Sequence, residues 1–249
     1  MQQTGVNYNG VMTENYLYSY FRKVRKKIEK QIDVIRKKYD EKAIHKLRVN
    51  IKKLRALFRF LEQNVAENKV DAKALLKEIK SLFKAAGAIR DVQVQQNLLS
   101  FYNDKMNKKH KEFSLYLDRK GQSAKENFAR TLNRFDMKSM DKKQDVLKDV
   151  LENIDKERIE KAKLDFIDER YNRIHRLLQE EKDDDKIHKI RIALKEANYI
   201  LAILKKYKSV TPQAKTALKK LKKIGETLGN WHDRVVFLEY FERFAKENP

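Results

Sequence analysis

One helix-sized segment occurs twice in this sequence, and the duplication limits the folds that the chain can adopt. Residues 43–62 read AIHKLRVNIKKLRALFRFLE, and residues 186–204 read KIHKIRIALKEANYILAIL. In both copies apolar residues recur every three or four positions, which is typical of an amphipathic α-helix. Two copies of one helix predict two copies of the structural unit that contains it.

A row of basic residues runs beside the apolar side of each copy. On a helix of 3.6 residues per turn, the other basic side chains of the first copy lie within about 80° of His45 around the helix axis. We name them the first stripe: His45, Arg48, Lys52, Arg55 and Arg59. The second stripe contains His188, Arg191 and Lys195, and it is shorter because Asn198 and Ala202 take its last two places. Neither stripe contains a carboxylate, whereas solvated helix surfaces normally mix charges of both signs.

The duplication continues beyond this helix. An offset of 142 or 143 residues relates five pairs of positions: His45 and His188, Gly87 and Gly229, Asp91 and Asp233, Lys77 and Lys219, and Lys80 and Lys222. Gly87 and Gly229 are each predicted to end a helix, and Asp91 and Asp233 to lie at the start of the next one. Each unit is therefore predicted to contain four helices.

The composition favours helices throughout. The chain has 249 residues, 41% of them hydrophobic, with six glycines and two prolines, so few residues suit turns or sheet corners. We predict an all-α fold of two pseudo-symmetric four-helix bundles around a basic central groove. The predicted divisions are an N-terminal tail at 1–12, a first four-helix repeat at 13–118, a connecting helical segment at 119–154 and a second four-helix repeat at 155–249.

The charge of the chain predicts a polyanionic partner. Lys and Arg number 58 against 36 Asp and Glu, a formal net charge of +22. Nucleic acid, polyphosphate and anionic membranes all satisfy that requirement. The chain has no Cys, which excludes disulfides and thiolate metal sites. Its first residues lack a basic segment followed by an apolar one, and the chain has no apolar run of the ~20 residues that cross a bilayer, so we expect a cytoplasmic protein without a signal peptide or a membrane partner.

The basic and glycine positions resemble those of the CHAD family, named for its histidine-bearing α-helical domain. The resemblance rests on IHKLRVNIKKLR and AAGAIRDVQV in the first half and on IHKIR and LGNWHDRVV in the second, and it spans roughly residues 13–247. It implies two four-helix bundles around a basic channel that binds inorganic polyphosphate, association with polyphosphate granules, and no catalysis. Glu196, Asn198 and Ala202 depart from the expected basic run, and His232 stands where the first half has Arg90. These departures argue against equal binding by the two halves.

Polyphosphate offers only oxygen acceptors, so its receptor needs closely spaced cationic donors. Arginine supplies a planar fork and lysine a mobile point charge, and a row of both can follow a flexible chain. Affinity should fall with salt, as it does for nucleic acids, and protonation of the histidines in mild acid should tighten binding. The predicted polyphosphate-binding residues are His45, Arg48, Lys52, Arg55, Arg59, His188, Arg191, Lys195, Lys77, Lys80, Lys219, Lys222 and Arg90.

Other interpretations of the same residues stay open. The stripes could be solvated helix faces, and the two histidines could pack at a bundle edge. Asp91 and Asp233 could orient a basic residue or stabilise a helix start. A metal site is not predicted, because no second His, Cys or carboxylate has ligand spacing on the same helix.

No catalytic residue and no cofactor are predicted. The sequence contains neither a GxxxxGK[ST] loop nor an HExxH motif, and polyphosphate hydrolysis normally needs carboxylates clustered around Mg²⁺. The alternatives to a polyphosphate-binding module are a nucleic-acid-binding helical protein, in which nucleic acid would compete with polyphosphate, and an accessory subunit that partners a polyphosphate-metabolising enzyme.

Overall fold

The computed structural model describes residues 16–65, 70–152, 154, 156–180, 183–205 and 212–248. Within these ranges the chain forms eight α-helices: α1 (Tyr16–Lys37), α2 (Glu41–Phe60), α3 (Ala72–Met106), α4 (Lys111–Arg134), α5 (Asp141–Glu152), α6 (Lys156–Gln179), α7 (Asp184–Lys205) and α8 (Pro212–Glu247). A π-helical turn, Leu61–Val65, extends α2, and a 3₁₀ turn, Met137–Met140, precedes α5. The described residues contain no strand, so the predicted all-α class is confirmed.

The periodic apolar residues of the first two helices form the centre of the core. On α1, Tyr20, Val24, Ile28, Ile32 and Ile35 are buried. On α2 and its π-helical extension, the apolar residues that recur every three or four positions are buried: Ile44, Leu47, Ile51, Leu54, Phe58 and Leu61. The carboxylate of Asp40 caps α2 by accepting a hydrogen bond from the amide of Ala43 at 2.7 Å.

The prediction that Gly87 and Gly229 end helices is wrong. Helix α3 continues through Gly87, and α8 continues through Gly229 to Glu247. In the described residues no glycine has a positive φ, and α3 ends instead at Asn107, which has a φ of 47° and closes the helix in the left-handed conformation. The predicted fourth helix, starting near Arg90, is thus the second half of α3.

The connecting segment predicted at 119–154 is helical, as expected, and its helices pack against helices of both halves of the chain. Helix α4 lies against α3 and contacts α8, and α5 lies against α1. The predicted boundary at residue 118 falls within α4. The predicted tail at 1–12 lies outside the described residues, and the division into two four-helix repeats stays a prediction.

Helix packing joins the segments that the sequence repeat relates. In the first half α1 packs on α2 and α2 on α3, and in the second half α6 packs on α7 and α7 on α8. Across the halves, α2 packs on α7 and α3 on α8. The two helices that carry the basic stripes, α2 and α7, are therefore neighbours.

None of the helices in the described ranges combines the length and the apolar character that crossing a membrane requires.

Candidate functional site

The two basic stripes lie on the helices that meet between the halves of the chain. On α2, His45 is exposed, whereas Arg48, Lys52, Arg55 and Arg59 are half-buried beside the apolar face. On α7, the second stripe is half-buried at all three positions, His188, Arg191 and Lys195. Neighbouring helices account for this partial burial, since α2 packs on both α3 and α7.

Lys52 marks the place where the stripes converge. Its pKa is lowered to about 8, first because burial disfavours the charged ammonium group. The positive charges of three neighbours lower the pKa in the same direction: Arg48 on its own helix, and Lys195 and Arg191 on α7. Burial and Arg191 also lower the pKa of Lys195. The structure therefore brings like charges from both halves together. We name these four residues the basic cluster: Arg48, Lys52, Arg191 and Lys195.

Arg48 is held in position by α3. Its Nη1 donates a hydrogen bond to the carbonyl oxygen of Phe83 at 3.0 Å, and the guanidinium lies 4.7 Å from the centre of the Phe83 ring. The guanidinium also crosses over Gly87, where a Cβ would overlap Nη1. Gly87 thus serves the close approach of a charged side chain to the helix backbone.

Asp91 and Asp233 supply counter-charges to the basic residues of the two stripes. Both lie about midway along continuous helices, so a role at a helix start is excluded. The carboxylate of Asp91 interacts electrostatically with Arg48 and Lys52, and that of Asp233 with Arg191 and Lys195. Of the two roles that the sequence left open, orienting basic residues is the one that this position permits.

The histidines adjoin the same cluster. The rings of His188 and His232 lie 4.6 Å apart between centroids. Burial and then the charge of Arg191 lower the pKa of His232 to about 4. Burial, assisted by nearby cations, also lowers the pKa of His45 and of His188. Protonation of all three imidazoles is therefore disfavoured in the unliganded protein.

Sequence reasoning missed two residues beside the basic cluster, His232 and Tyr199. His232 was noted only as a departure from Arg90, and its place beside His188 follows from the packing of α7 on α8. Tyr199 is half-buried near Arg48 and Arg191, and burial raises the pKa of its phenol. The repeat could not point to Tyr199, because the equivalent position in the first half is Ala56.

The C-terminal end of the first stripe has different surroundings. Arg55 stacks 5.1 Å from the centre of the Phe83 ring. Arg59 pairs with Glu196 of α7, whose other carboxylate oxygen lies 3.5 Å from Nε of Arg170. A carboxylate from the second half thus neutralises the end of the first stripe.

The predicted lysines outside the stripes are exposed, and they fall into two groups. Lys80 lines a cavity of about 380 Å³ between α2 and α3 together with Arg55 and Arg59. Lys77 and Lys219 lie on the N-terminal halves of α3 and α8, and Lys222 there pairs with Glu226 at 3.6 Å. The participation of Lys77, Lys219 and Lys222 in one site with the stripes stays a prediction.

Arg90 lies at the edge of the cluster. It is half-buried on α3, and its charge contributes to the lowered pKa values of His45 and Arg48. In the part of the chain that the structure describes, no three His, Asp or Glu side chains are arranged to hold a metal ion. The guanidinium and ammonium groups of the stripes offer cationic hydrogen-bond donors.

Comparisons with known proteins give the family. The structure resembles the crystal structure of the CHAD domain from the plant Ricinus communis, with a TM-score of 0.76 over 100% of this chain and 84% of that chain. The two sequences are 18% identical, so this likeness concerns the fold. No curated protein is significantly similar in sequence. The family model for the CHAD domain matches residues 19–242, nearly the whole chain, and the protein therefore belongs to the CHAD family.

Proposed function

We propose that this protein binds inorganic polyphosphate, without catalysis, in a basic groove between the two halves of the chain. The observation that carries the proposal is the convergence of Arg48 and Lys52 with Arg191 and Lys195 where α2 packs on α7. Like charges held together in a partly buried place repel one another, as the lowered pKa of Lys52 reflects. A flexible polyanion would relieve this repulsion.

Unused hydrogen-bonding capacity supports the same proposal. Among the described residues, Nε of Arg191 is a buried donor without a hydrogen-bond partner. Such a group costs free energy unless a ligand or water completes its bonding. Phosphate oxygens are strong acceptors for guanidinium groups. Membership of the CHAD family, in which the resemblance implies polyphosphate binding, points in the same direction.

Localisation at polyphosphate granules in the cytoplasm is part of this proposal. The binding groove would present cationic donors from both halves, and the chain itself would supply no reactive group. Polyphosphate-metabolising enzymes are the protein partners that such a module would meet on the granule.

Calorimetric titration with long-chain polyphosphate tests the proposal. A combined Arg48→Ala, Lys52→Ala, Arg191→Ala variant should lose affinity by at least about tenfold, and the slope of log affinity against log salt should decrease by about 2 to 3. A matched control, Lys26→Ala, Lys30→Ala, Lys37→Ala, removes the same charge from exposed positions on α1 and should change affinity little. Equal losses in the two variants would reject the site.

A competition experiment distinguishes polyphosphate from nucleic acid as the ligand. Single-stranded RNA at the same phosphate concentration should displace little bound polyphosphate, because the proposed groove offers donors matched to closely spaced phosphates. Full displacement by RNA would instead support a nucleic-acid-binding protein. Incubating the purified chain with polyphosphate and Mg²⁺ should release no phosphate.

A further inference from the structure

A second cavity adjoins the basic cluster where α3 crosses α8. It has a volume of about 350 Å³, and its lining includes Arg90, Leu98 and Phe101 from α3 and Asn230 and Asp233 from α8. We propose that this cavity holds the base and ribose of a nucleoside triphosphate whose phosphates occupy the basic cluster. The inference rests on the proposed function, because the same cations would bind the phosphates.

Two residues relate the cavity to the cluster. Arg90 and Asp233 both line the cavity. The charge of Arg90 also acts on His45 and Arg48, and Asp233 interacts with Arg191. A ligand that places phosphates on the cluster and extends into the cavity would therefore meet the carboxylate of Asp233, an acceptor suited to ribose hydroxyl groups.

The far end of the cavity suits a nucleobase. The ring of Phe101 is 52% exposed, an unusual state for a large aromatic side chain, and Leu98 lies beside it in the lining. Bases stack on aromatic rings whatever their sequence. Asn97 and Asn230 add exposed amides to the lining, which both donate and accept hydrogen bonds as base edges require, and Val94 and Arg234 are the remaining lining residues.

The spacing along α3 provides room for both parts of the ligand. Arg90 and Phe101 are eleven residues apart, about 16 Å along the helix axis at 1.5 Å per residue. The cavity volume falls within the range of about 300–1,000 Å³ that is usual for small-molecule sites.

Near the same crossing, Phe113 and Tyr116 of α4 pack against Phe237 and Phe244 of α8. The repeat offset carries Phe101 onto Arg243 and Asn97 onto Glu239, so the stacking ring is not duplicated in the sequence. The sequence repeat therefore does not predict a second nucleoside site.

Comparison of ATP with inorganic tripolyphosphate tests the inference. The fluorescence of Trp231, the single tryptophan of the chain and a neighbour of His232, provides a readout beside calorimetry. Tripolyphosphate carries at least as much negative charge as ATP, so electrostatics alone would not favour ATP. Wild-type protein should bind ATP about tenfold more tightly than tripolyphosphate, because the base adds stacking.

Phe101→Ala should abolish this preference and leave the affinity for tripolyphosphate unchanged. The control Tyr171→Ala truncates an aromatic side chain that is 66% exposed on α6, and it should retain the preference. Equal binding of ATP and tripolyphosphate by the wild-type protein, or a preference that survives in Phe101→Ala, would overturn the nucleoside site and leave the proposed function standing. Failure of tripolyphosphate and polyphosphate to bind at all would instead overturn the proposed function.

Discussion

At the scale of single residues, the arrangement of Arg48 explains why a glycine lies in the middle of a long helix. The guanidinium lies over Gly87, bonds to the Phe83 carbonyl and stacks on the Phe83 ring. These contacts hold a charged group in one orientation before any ligand binds. Preorganisation of this kind lowers the entropy that binding must overcome.

Gly87→Ala is predicted to weaken polyphosphate binding without destabilising the fold. The new methyl group would displace the end of the Arg48 side chain, which is flexible, and we expect affinity to fall by about tenfold. The free energy of unfolding should stay level or rise by up to about 1 kcal/mol, because Ala is a better helix former than Gly. Calorimetric titration and urea unfolding measure the two effects.

Gly229→Ala is the matched control for this change. Gly229 occupies the equivalent position in the repeat, and a Cβ there would meet no atom within 4 Å. Its affinity for polyphosphate should equal that of the wild-type protein. A comparable loss of affinity in both variants would show that helix rigidity, and not the position of Arg48, is responsible.

At the scale of helices, α4 determines how α8 lies on α3. Phe113 of α4 is 1% exposed, and its ring lies 5.7 Å from Phe237 and 5.2 Å from Phe244 between centroids. Tyr116 and Leu117 complete this small aromatic core. Because α8 carries His232 and Asp233, the aromatic core also positions side chains beside the basic cluster.

Phe113→Ala is predicted to lower the free energy of unfolding by about 3–5 kcal/mol, the usual cost of truncating a buried phenylalanine. Leu115→Ala, two positions along α4, removes a side chain that is 60% exposed and should change stability by less than about 0.5 kcal/mol. Chemical denaturation measures both values. A small effect of Phe113→Ala would mean that α4 does not hold α8 in place.

At the scale of the whole molecule, repulsion among the excess positive charges raises the free energy of the unliganded protein. The chain carries a formal net charge of +22, and packing of α2 on α7 brings cations of both halves together. The lowered pKa values of Lys52, Lys195, His188 and His232 record that crowding together with burial. A bound polyanion would reverse each shift, so binding and proton uptake should be linked.

Polyphosphate binding at pH 8 is predicted to take up about half a proton through Lys52. With a pKa of about 8, this lysine is half-protonated in the free protein at that pH, and nearby phosphates would raise its pKa. Affinity should therefore fall as the pH rises from 7 to 9, and the histidines should tighten binding below pH 7 by the same reasoning. Calorimetry in buffers of different ionisation enthalpy measures the uptake.

Lys52→Arg is the control for this proton uptake, because arginine stays charged throughout the range. The variant should bind polyphosphate at pH 8 with little proton uptake and a flatter pH profile above pH 7. An uptake equal to that of the wild-type protein would assign the proton to another group.

Local properties of the sequence determined the helical class, the buried faces of α1 and α2, and the composition of both stripes. A 3.6-residue period places apolar and basic side chains on separate sides of a helix whatever the partner helix is. The helix caps are local in the same sense, since the carboxylates of Asp40 and Asp183 each accept a hydrogen bond from an amide three residues along the chain, at the starts of α2 and α7.

Only the tertiary structure decided how these elements meet. A glycine in a helical sequence normally predicts a helix end, yet Gly87 lies within α3 and leaves space for the guanidinium of Arg48, a residue 39 positions away. Within the second half, His188 approaches His232 because α7 packs on α8. The pairing of Arg59 with Glu196 and the cavity beside Phe101 depend on contacts between the halves of the chain. Such contacts have no period in the sequence, because they arise from the packing of α2 on α7 and of α3 on α8.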